Sequence, residues 1–394
     1  MKQRILVAIA SVLLAALILL MLPPIHPAAD LPTAPTNPAP STPPTTQPTP
    51  GSVRLYSCDP ETLPALAKLA ADYTARTGVE VSVLTAGDTG CMPMLEMLMG
   101  GENPPTLLCM HSQQDLLKWQ DSLLDLTGTA LETALCSADF GFRSGGKLLG
   151  LPMAVEGMGL LSNPPLMSVV ISRQDVLDMG LRTSVQLLEM NGVTAFANVP
   201  HGMPVWLRLL QSSDGAAMRD FLDLHMENQI GTGNPMDQFM SGKTAFFLGT
   251  TADYDQLSQQ PDQELPLNEV DILPTGTGEG LHYLCKTAWG VNGNANPNDI
   301  DATLDFLQWM VTATEEGAAP IDQLQNLSPF LGAGWYGNQL EKKLRKYMQL
   351  EPAVLVWEAG DRNSRDLLLA LGVYVNDPTD ANWKAIEALL KNNG

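Results

Sequence analysis

The stretch from Val53 to Leu84 reads VRLYSCDPETLPALAKLAADYTARTGVEVSVL, and it decides the fold class. Its first five residues, Val53–Ser57, predict a β-strand. Thr62–Arg76 carries apolar residues at helical spacing, and Val79–Leu84 alternates as a second strand. Gly78 ends the helix between them. The order of strand, helix and strand predicts the beginning of an α/β fold with a parallel sheet and right-handed crossovers.

The same pattern continues for one more repeat of helix and strand. Met92–Met99 predicts a second helix, Thr106–Met110 a third strand and Gln113–Gln120 a third helix. Ligands of such open sheets bind beyond the carboxyl ends of the strands, where the loops at Cys58-Asp59, Gly87-Asp88-Thr89 and His111-Ser112 fall. We therefore expect Asp88 and His111 to bind a ligand, with a turn or helix cap as the alternative for a loop aspartate.

The later chain is predicted to be mainly helical. Asn163–Asp237 is mostly helical, whereas Lys243–Leu248 and Val270–Leu273 are strand candidates. Further helices are predicted at Asp299–Ala313, Asn338–Gln349, Arg362–Leu371 and Asp380–Lys391. The sequence contains no internal repeat.

The first fifty residues predict an exported protein. Lys2 and Arg4 precede an apolar run from Ile5 to Leu22, followed by a segment rich in proline and threonine. We expect residues 1–22 to be a signal or anchor segment, residues 23–52 to be a linker, and the remaining chain to lie outside the cell. No cysteine precedes Cys58, so no lipid attachment is expected. Cleavage with secretion and retention as an N-terminal membrane anchor remain alternatives.

Charge and composition restrict the partners. The chain of 394 residues has 43 acidic and 22 basic side chains, giving a net charge of -21. This charge argues against nucleic acid, against adhesion to anionic lipid and against a strongly anionic ligand. The residues after the linker suffice for two lobes. We expect contact with a membrane through the N-terminal segment only.

The sequence carries no motif for catalysis or for a cofactor. The five cysteines lack CxxC spacing, so no metal site is expected. Cys109 lies in an apolar run and is predicted to be a small buried residue, while the pairing of the other cysteines is left open. The chain also has no HExxH, G-x-S-x-G or P-loop motif. We therefore expect neither catalytic residues nor a cofactor.

Several segments, in their shared order, resemble carbohydrate-type extracellular solute-binding proteins of ABC importers, the family 1 proteins that are similar to maltose-binding protein. The segments are Gly146–Pro152, Val155–Leu160, Gly242–Phe247, Leu273-Pro274, Trp289–Asn292, Leu304–Trp309, Ser328–Phe330 and Val356-Trp357. The resemblance implies a two-lobed, periplasmic-binding-protein-like (type II) α/β fold with a ligand cleft between the lobes. It covers the chain from about Val53 to Lys391.

The resemblance also implies a domain division and a function. Residues 53–155 plus 285–330 would form the N-terminal lobe, and residues 156–284 plus 331–394 the C-terminal lobe. The chain would cross between them near Met153–Glu156, His282–Trp289 and Ser328–Trp335. The protein would bind a small molecule, a sugar or oligosaccharide, and deliver it to an ABC transporter permease by hinge closure. The alternatives are an exported carbohydrate-active enzyme and a surface receptor for signalling or adhesion without transport.

Sugar recognition needs aromatic faces and convergent polar groups. Among the seven tryptophans, four stand beside loops, glycine or proline, whereas Trp309 and Trp383 sit in apolar helix faces and are expected in the core. The family strand after Gly242–Phe247 commonly ends with a sugar-facing tryptophan. Here the chain instead reads Gly249-Thr250-Thr251-Ala252, and no aromatic residue follows before Tyr254. Together with Asp88 and His111, the expected ligand-binding residues are Glu156, Trp206, Thr250, Tyr254, Trp289, Trp335 and Trp357.

Overall fold

The computed structural model describes residues 51–86, 90–167, 171–199, 203–260, 265–278, 280–315, 317–334, 337–357 and 364–391. The predicted signal or anchor segment and nearly all of the linker lie outside these ranges. Among the described residues, no helix combines the length and apolar character needed to cross a membrane.

Eleven strands of the described chain form two sheets. They are β1 Val53–Tyr56, β2 Val81–Leu84, β3 Leu107–Met110, β4 Phe142–Ser144, β5 Lys147–Pro152, β6 Glu156–Ser162, β7 Phe246–Thr250, β8 Asp271–Leu273, β9 Leu281–Cys285, β10 Ala288–Val291 and β11 Ala353–Trp357. The first sheet has the order β2-β1-β3-β10-β5-β4. The second has the order β11-β9-β6-β7, with β8 paired to β6.

The first three strands pair as predicted, but the whole sheet is mixed. β1 is parallel to both β2 and β3, in agreement with the alternation of strands and helices. β10 then pairs antiparallel with β3 and with β5. Beyond β3 the sheet is mixed, because β10 enters from the second sheet rather than through a crossover helix.

Fifteen α-helices of the described residues cover the two sheets. They are α1 Leu63–Thr77, α2 Cys91–Met99, α3 Gln113–Trp119, α4 Ala130–Thr133, α5 Pro164–Met167, α6 Arg173–Met179, α7 Leu181–Met190, α8 Met203–Ser212, α9 Gly215–Glu227, α10 Pro235–Met240, α11 Thr251–Ser258, α12 Pro297–Val311, α13 Gln339–Leu350, α14 Ser364–Asn376 and α15 Asp380–Lys391. Short 3-10 helices occupy Ala138–Phe140 and Pro320–Leu324.

Local sequence explains where the first helix ends. Gly78 has a positive φ of 77° and its N–H donates to the carbonyl of Thr74, which closes the last turn of α1. Of the residues that the helical spacing predicted for the buried side of α1, Leu66, Ala70 and Tyr73 are buried and Leu63 is partly buried; Leu69 is buried as well. α1 packs on β2 and on the 3-10 helix Pro320–Leu324, while α12 packs on β1.

Two hydrophobic clusters hold the fold together. One surrounds the first sheet and extends to α13, and the other surrounds α8, α9, α14 and α15 beside the second sheet. Trp383 is buried in the second cluster, as predicted, whereas Trp309 is partly buried against the first, where it contacts Tyr73. The predicted buried position of Cys109 is confirmed.

The chain passes between the two sheets at short, well-placed segments. Residues 153–155 join β5 of the first sheet to β6 of the second, and Lys286-Thr287 joins β9 of the second sheet to β10 of the first. Both passages lie inside the ranges where the resemblance places them. A third passage lies between Phe330 and α13. Phe330 forms a β-bridge with Leu135, and α13 packs on β8 of the second sheet.

Candidate functional site

A cavity lies at the two strand passages between the sheets. It encloses about 170 Å³. Four segments line it: the loop after β1, the β5–β6 passage, the β9–β10 passage and the end of the 3-10 helix. The lining residues are Ser57, Asp59, Glu61, Thr62, Met153, Ala154, Val155, Glu156, Leu284, Lys286, Thr287, Trp289, Leu324 and Asn326.

Strand pairing fixes the two passages side by side. Glu156, the first residue of β6, is in register with Leu284 near the end of β9, so the strands that leave and enter the two passages are paired side by side. The N–H of Val155 donates to the carbonyl of Leu327 at 2.9 Å, which ties the β5–β6 passage to the segment after the 3-10 helix. The backbone of the cavity wall is thereby held by the β6–β9 pairing and by this hydrogen bond.

Trp289 forms the aromatic wall of the cavity. β10 places it in register with Cys109 of β3 and Leu151 of β5, in the middle of the first sheet. Its side chain is only 3% exposed, so most of the indole is fixed by packing and the part that remains accessible faces the cavity. A fixed aromatic face suits contact with the C–H groups of a small ligand.

Glu156 and Lys286 form an ion pair at the passages. The Nζ atom of Lys286 lies 2.9 Å from Oε1 of Glu156, and the two side chains are 54% and 25% exposed, respectively. Such partly exposed pairs contribute little stability, about 0–1 kcal/mol. The pair links Lys286 of the β9–β10 passage to the residue that directly follows the β5–β6 passage, so its role is to position the two passages rather than to stabilise the fold.

Two carboxylates of the second lobe, Asp253 and Glu341, have raised pKa values. Burial raises the pKa of Asp253 above its ordinary value, and the negative charge of Glu156 adds to this effect. Burial, together with the charges of Asp255 and Glu156, raises the pKa of Glu341 to about 7. Both shifts place Glu156 in an acidic part of the second lobe.

The loop after β1 supplies convergent polar groups on the opposite side. Asp59 accepts from the N–H of Glu61 at 3.0 Å and from the hydroxyl of Thr62 at 3.1 Å, so it shapes the turn that leads into α1. Ser57 is buried, and its N–H donates to the carbonyl of Leu84 at 3.0 Å. The loop sits at the carboxyl end of β1, where the sequence placed a binding loop.

Among the predicted site residues, Glu156 and Trp289 line the cavity together. His111 lies elsewhere at the same end of the first sheet, and its Nε2 lies 3.5 Å from the thiol of Cys109. The N–H of His111 donates to Asp115, which also belongs to the N-terminal turn of α3. Asp88 and Trp335 lie outside the described residues.

Three predicted residues are buried away from the cavity. Trp206 is fully buried in the second cluster, stacked on Phe221, because Pro204 opens helix α8 rather than a loop. Thr250 caps α11, accepting from the N–H of Asp253. The hydroxyl of Tyr254 donates to the carbonyl of Leu267 at 2.9 Å, and its ring is buried. Tyr254 therefore does not replace the aromatic residue that is missing from this strand.

Trp357 connects the two sheets at a separate place. Its ring stacks on Phe142 of β4 with 3.9 Å between the ring centroids, and its Nε1 donates to Gln113 at 3.0 Å. Trp357 belongs to the second sheet, whereas Phe142 and Gln113 belong to the first sheet and to α3. The stack is a contact between lobes and is not part of the cavity lining.

Sequence reasoning missed several residues of the lining. Lys286 is exposed and carries no motif, and Asn326 follows Gln325, which has a positive φ of 55° at the end of the 3-10 helix. The position of Lys286 inside a predicted crossing was the one available signal. Asp59 was identified only as part of a strand-end loop.

Two sheets joined by strand passages, with a cavity at those passages, define a two-lobed α/β binding fold. Residues 68–332 match the family described as bacterial extracellular solute-binding protein. The chain belongs to this family, which confirms the resemblance inferred from sequence. No curated protein matches the chain.

Solved structures of low sequence identity share the fold. A family 1 extracellular solute-binding protein from Alicyclobacillus acidocaldarius has a TM-score of 0.63 at 12% identity, covering 87% of this chain and 98% of that one. The solute receptor AcbH, described as preferring β-D-galactopyranose, has a TM-score of 0.64 at 12% identity with the same coverage. The cyclic α-maltosyl-1,6-maltose binding protein of Arthrobacter globiformis has a TM-score of 0.57 at 16% identity, covering 87% of this chain and 100% of that one. The type II fold predicted from sequence is confirmed.

Proposed function

We propose that this protein binds a small sugar in the cavity between its lobes and delivers it to an ABC transporter permease. The observation that carries the proposal is the cavity at the strand passages, where the fixed indole of Trp289 faces convergent hydroxyl, carboxylate and amide groups. An aromatic face with hydrogen-bonding groups of both kinds fits the alternating C–H and hydroxyl surface of a pyranose. The sugars bound by AcbH and by the Arthrobacter protein support the same ligand class.

The size of the cavity favours a monosaccharide. Its volume of about 170 Å³ is below the roughly 300–1,000 Å³ that is typical of ligand pockets. An oligosaccharide would require a wider separation of the lobes. The galactopyranose preference in the description of AcbH agrees with a small ligand.

The lobes that we propose are those assigned from sequence. Strands of the first sheet fall in residues 53–155 or 285–330, and those of the second fall in residues 156–284 or 331–394, with only Cys285 at a boundary. The passages would act as hinges, and closure would desolvate the ligand against Trp289. Binding involves no covalent step and no cofactor.

Membrane attachment through residues 1–22 is part of the proposal. A receptor that lacks a lipidated cysteine would stay near its permease through an uncleaved anchor, and the proline-rich linker would give it reach. The family description, bacterial extracellular solute-binding protein, supports a folded part outside the cell.

Calorimetric titration with a panel of monosaccharides and disaccharides tests the proposed function. Trp289→Ala should weaken binding of the sugar found in the panel by about 1–3 kcal/mol. Trp309→Ala is the matched control, since Trp309 is a partly buried tryptophan that lines a different surface depression. It should lower stability by about 2 kcal/mol and leave the affinity unchanged.

Two outcomes would contradict the proposal. One is a panel without a binding sugar, and the other is an affinity that falls in Trp309→Ala but not in Trp289→Ala. Hydrolysis of any panel member would instead favour an exported carbohydrate-active enzyme. Binding of a sugar without transport in cells that contain the permease would favour a signalling receptor.

A further inference from the structure

A cluster of soft ligands lies at the carboxyl ends of β1 and β3, beside the cavity but outside its lining. Cys58 follows β1, Cys91 begins α2 and His111 follows β3. One ligand atom from each of these three residues lies within 4.8 Å of the other two. The two cysteines form a disulfide, so their sulfurs are occupied by each other.

We propose that reduction of the Cys58–Cys91 disulfide creates a binding site for a soft metal ion of the Zn²⁺ or Cu⁺ type. The ligands are the two released thiolates and one imidazole nitrogen of His111. Thiolate and imidazole are the donors that such metals prefer. This site is independent of the sugar proposed for the cavity.

The geometry of the cluster fits a tetrahedral site. Bonds of about 2.3 Å from Zn²⁺ to sulfur and about 2.0 Å to nitrogen place two sulfurs about 3.8 Å apart and sulfur and nitrogen about 3.5 Å apart. All three ligand atoms already lie within 4.8 Å of one another, so small side-chain rotations suffice. Three protein ligands leave the fourth position open to water.

Neighbouring groups hold the ligands in place. The hydroxyl of Tyr56 donates to the backbone carbonyl of Cys91 and lies 3.1 Å from Sγ of Cys58. The imidazole of His111 contacts the buried thiol of Cys109, with 3.5 Å between Nε2 and Sγ, and its backbone N–H donates to Asp115. Contacts of this kind orient metal ligands and fix their rotamers.

The reaction balances with an external dithiol as the reductant. The dithiol transfers two electrons and two protons to the disulfide, giving the thiols of Cys58 and Cys91, and is itself oxidised to a disulfide. The metal ion then displaces the two thiol protons as it binds. All three ligand residues are only partly buried, so both reactants can reach the site.

Co²⁺ titration of the whole protein tests the site, because Co²⁺ absorbs visible light when it is held tetrahedrally by thiolates. The disulfide form should give no thiolate-to-cobalt absorption. After reduction by a phosphine, one equivalent of Co²⁺ should give that absorption, and Zn²⁺ should displace it. His111→Ala should weaken binding by at least about tenfold. Cys136→Ser removes a cysteine outside the cluster and should bind like the wild type.

Three results would overturn the proposal. The first is a reduced protein without thiolate-to-cobalt absorption, and the second is equal affinity in His111→Ala and the wild type. The third is a loss of the native circular dichroism spectrum on reduction, because the ligands would then lack a scaffold. Sugar binding by the disulfide form provides a separate readout, so failure here leaves the proposed function unaffected.

Discussion

Two buried histidines and the half-buried Glu341 should contribute to how the stability of this protein changes with pH, and Glu341→Gln isolates the contribution of the glutamate. Burial lowers the pKa of His225 to about 4 and that of His282 to about 4. Burial, together with the negative charges of Asp255 and Glu156, raises the pKa of Glu341 from 4.5 to about 7. The histidines and the glutamate therefore act in opposite directions.

The direction in which each group changes stability depends on whether the folded or the unfolded state binds its proton more tightly. Each histidine has a folded pKa below its unfolded value of about 6.5, so its contribution to stability is lost as pH falls from about 6.5 to about 4. Glu341 has a folded pKa above its unfolded value, so the folded state gains stability as pH falls from about 7 to about 4.5. Between pH 7 and pH 5, each histidine removes about 2 kcal/mol, and Glu341 adds about 2 kcal/mol.

These magnitudes predict that the free energy of unfolding changes with pH by different amounts in the wild type and in Glu341→Gln. The wild type should lose about 2 kcal/mol of unfolding free energy between pH 7 and pH 5, because one histidine is offset by Glu341. Glu341→Gln should lose about 4 kcal/mol, since the offset is gone. Urea unfolding followed by circular dichroism at the two pH values measures both losses. Glu189→Gln, which removes an exposed glutamate, controls for the change in net charge and should keep the wild-type slope. Equal slopes in the wild type and Glu341→Gln would refute the reasoning.

Two further predictions concern closure and the N-terminus. Saturation with the sugar identified by titration should reduce the radius of gyration in small-angle scattering without a change in circular dichroism, because in the proposed hinge closure the lobes move as rigid bodies. An unchanged radius would contradict hinge closure. Intact-mass measurement of protein extracted from native membranes should find residues 1–22 retained, since in the proposed function an anchor would concentrate the receptor at its permease. A mature chain that begins near Asp30 in the soluble fraction would contradict retention.

The fold was predictable where one face of an element is exposed. The helix after β1 shows its period because half of its surface faces water, and Gly78 marks its end. By contrast, β6, β9 and β10 are buried on nearly every residue, so they lack the alternation that identifies a strand. Periodicity did not identify these segments as strands. They were found only because their residues match segments of the family in the same order.

The sequence predicted only those site residues that lie at the predicted crossings between the lobes. Glu156 and Trp289 were selected because they flank proposed crossings, and both line the cavity. Lys286 was missed because an exposed lysine has no distinguishing pattern, and its contact with Glu156 depends on the register between β6 and β9. Trp206 was misplaced beside a loop, because the sequence does not reveal that Pro204 lies in the first turn of a helix.

The cavity and the proposed hinges are built from the same residues, and this has a consequence for specificity. Glu156 begins the second sheet and Trp289 lies in the first, while Lys286 joins the two passages through its ion pair. A ligand that touches these side chains contacts both lobes at the points about which they would move. Its binding free energy then acts directly on the equilibrium between open and closed forms, since a ligand shifts such an equilibrium only by its difference in affinity for the two states. A solute that fills the cavity without touching both passages would bind without closing the protein, so closure itself becomes the step at which the receptor selects its ligand.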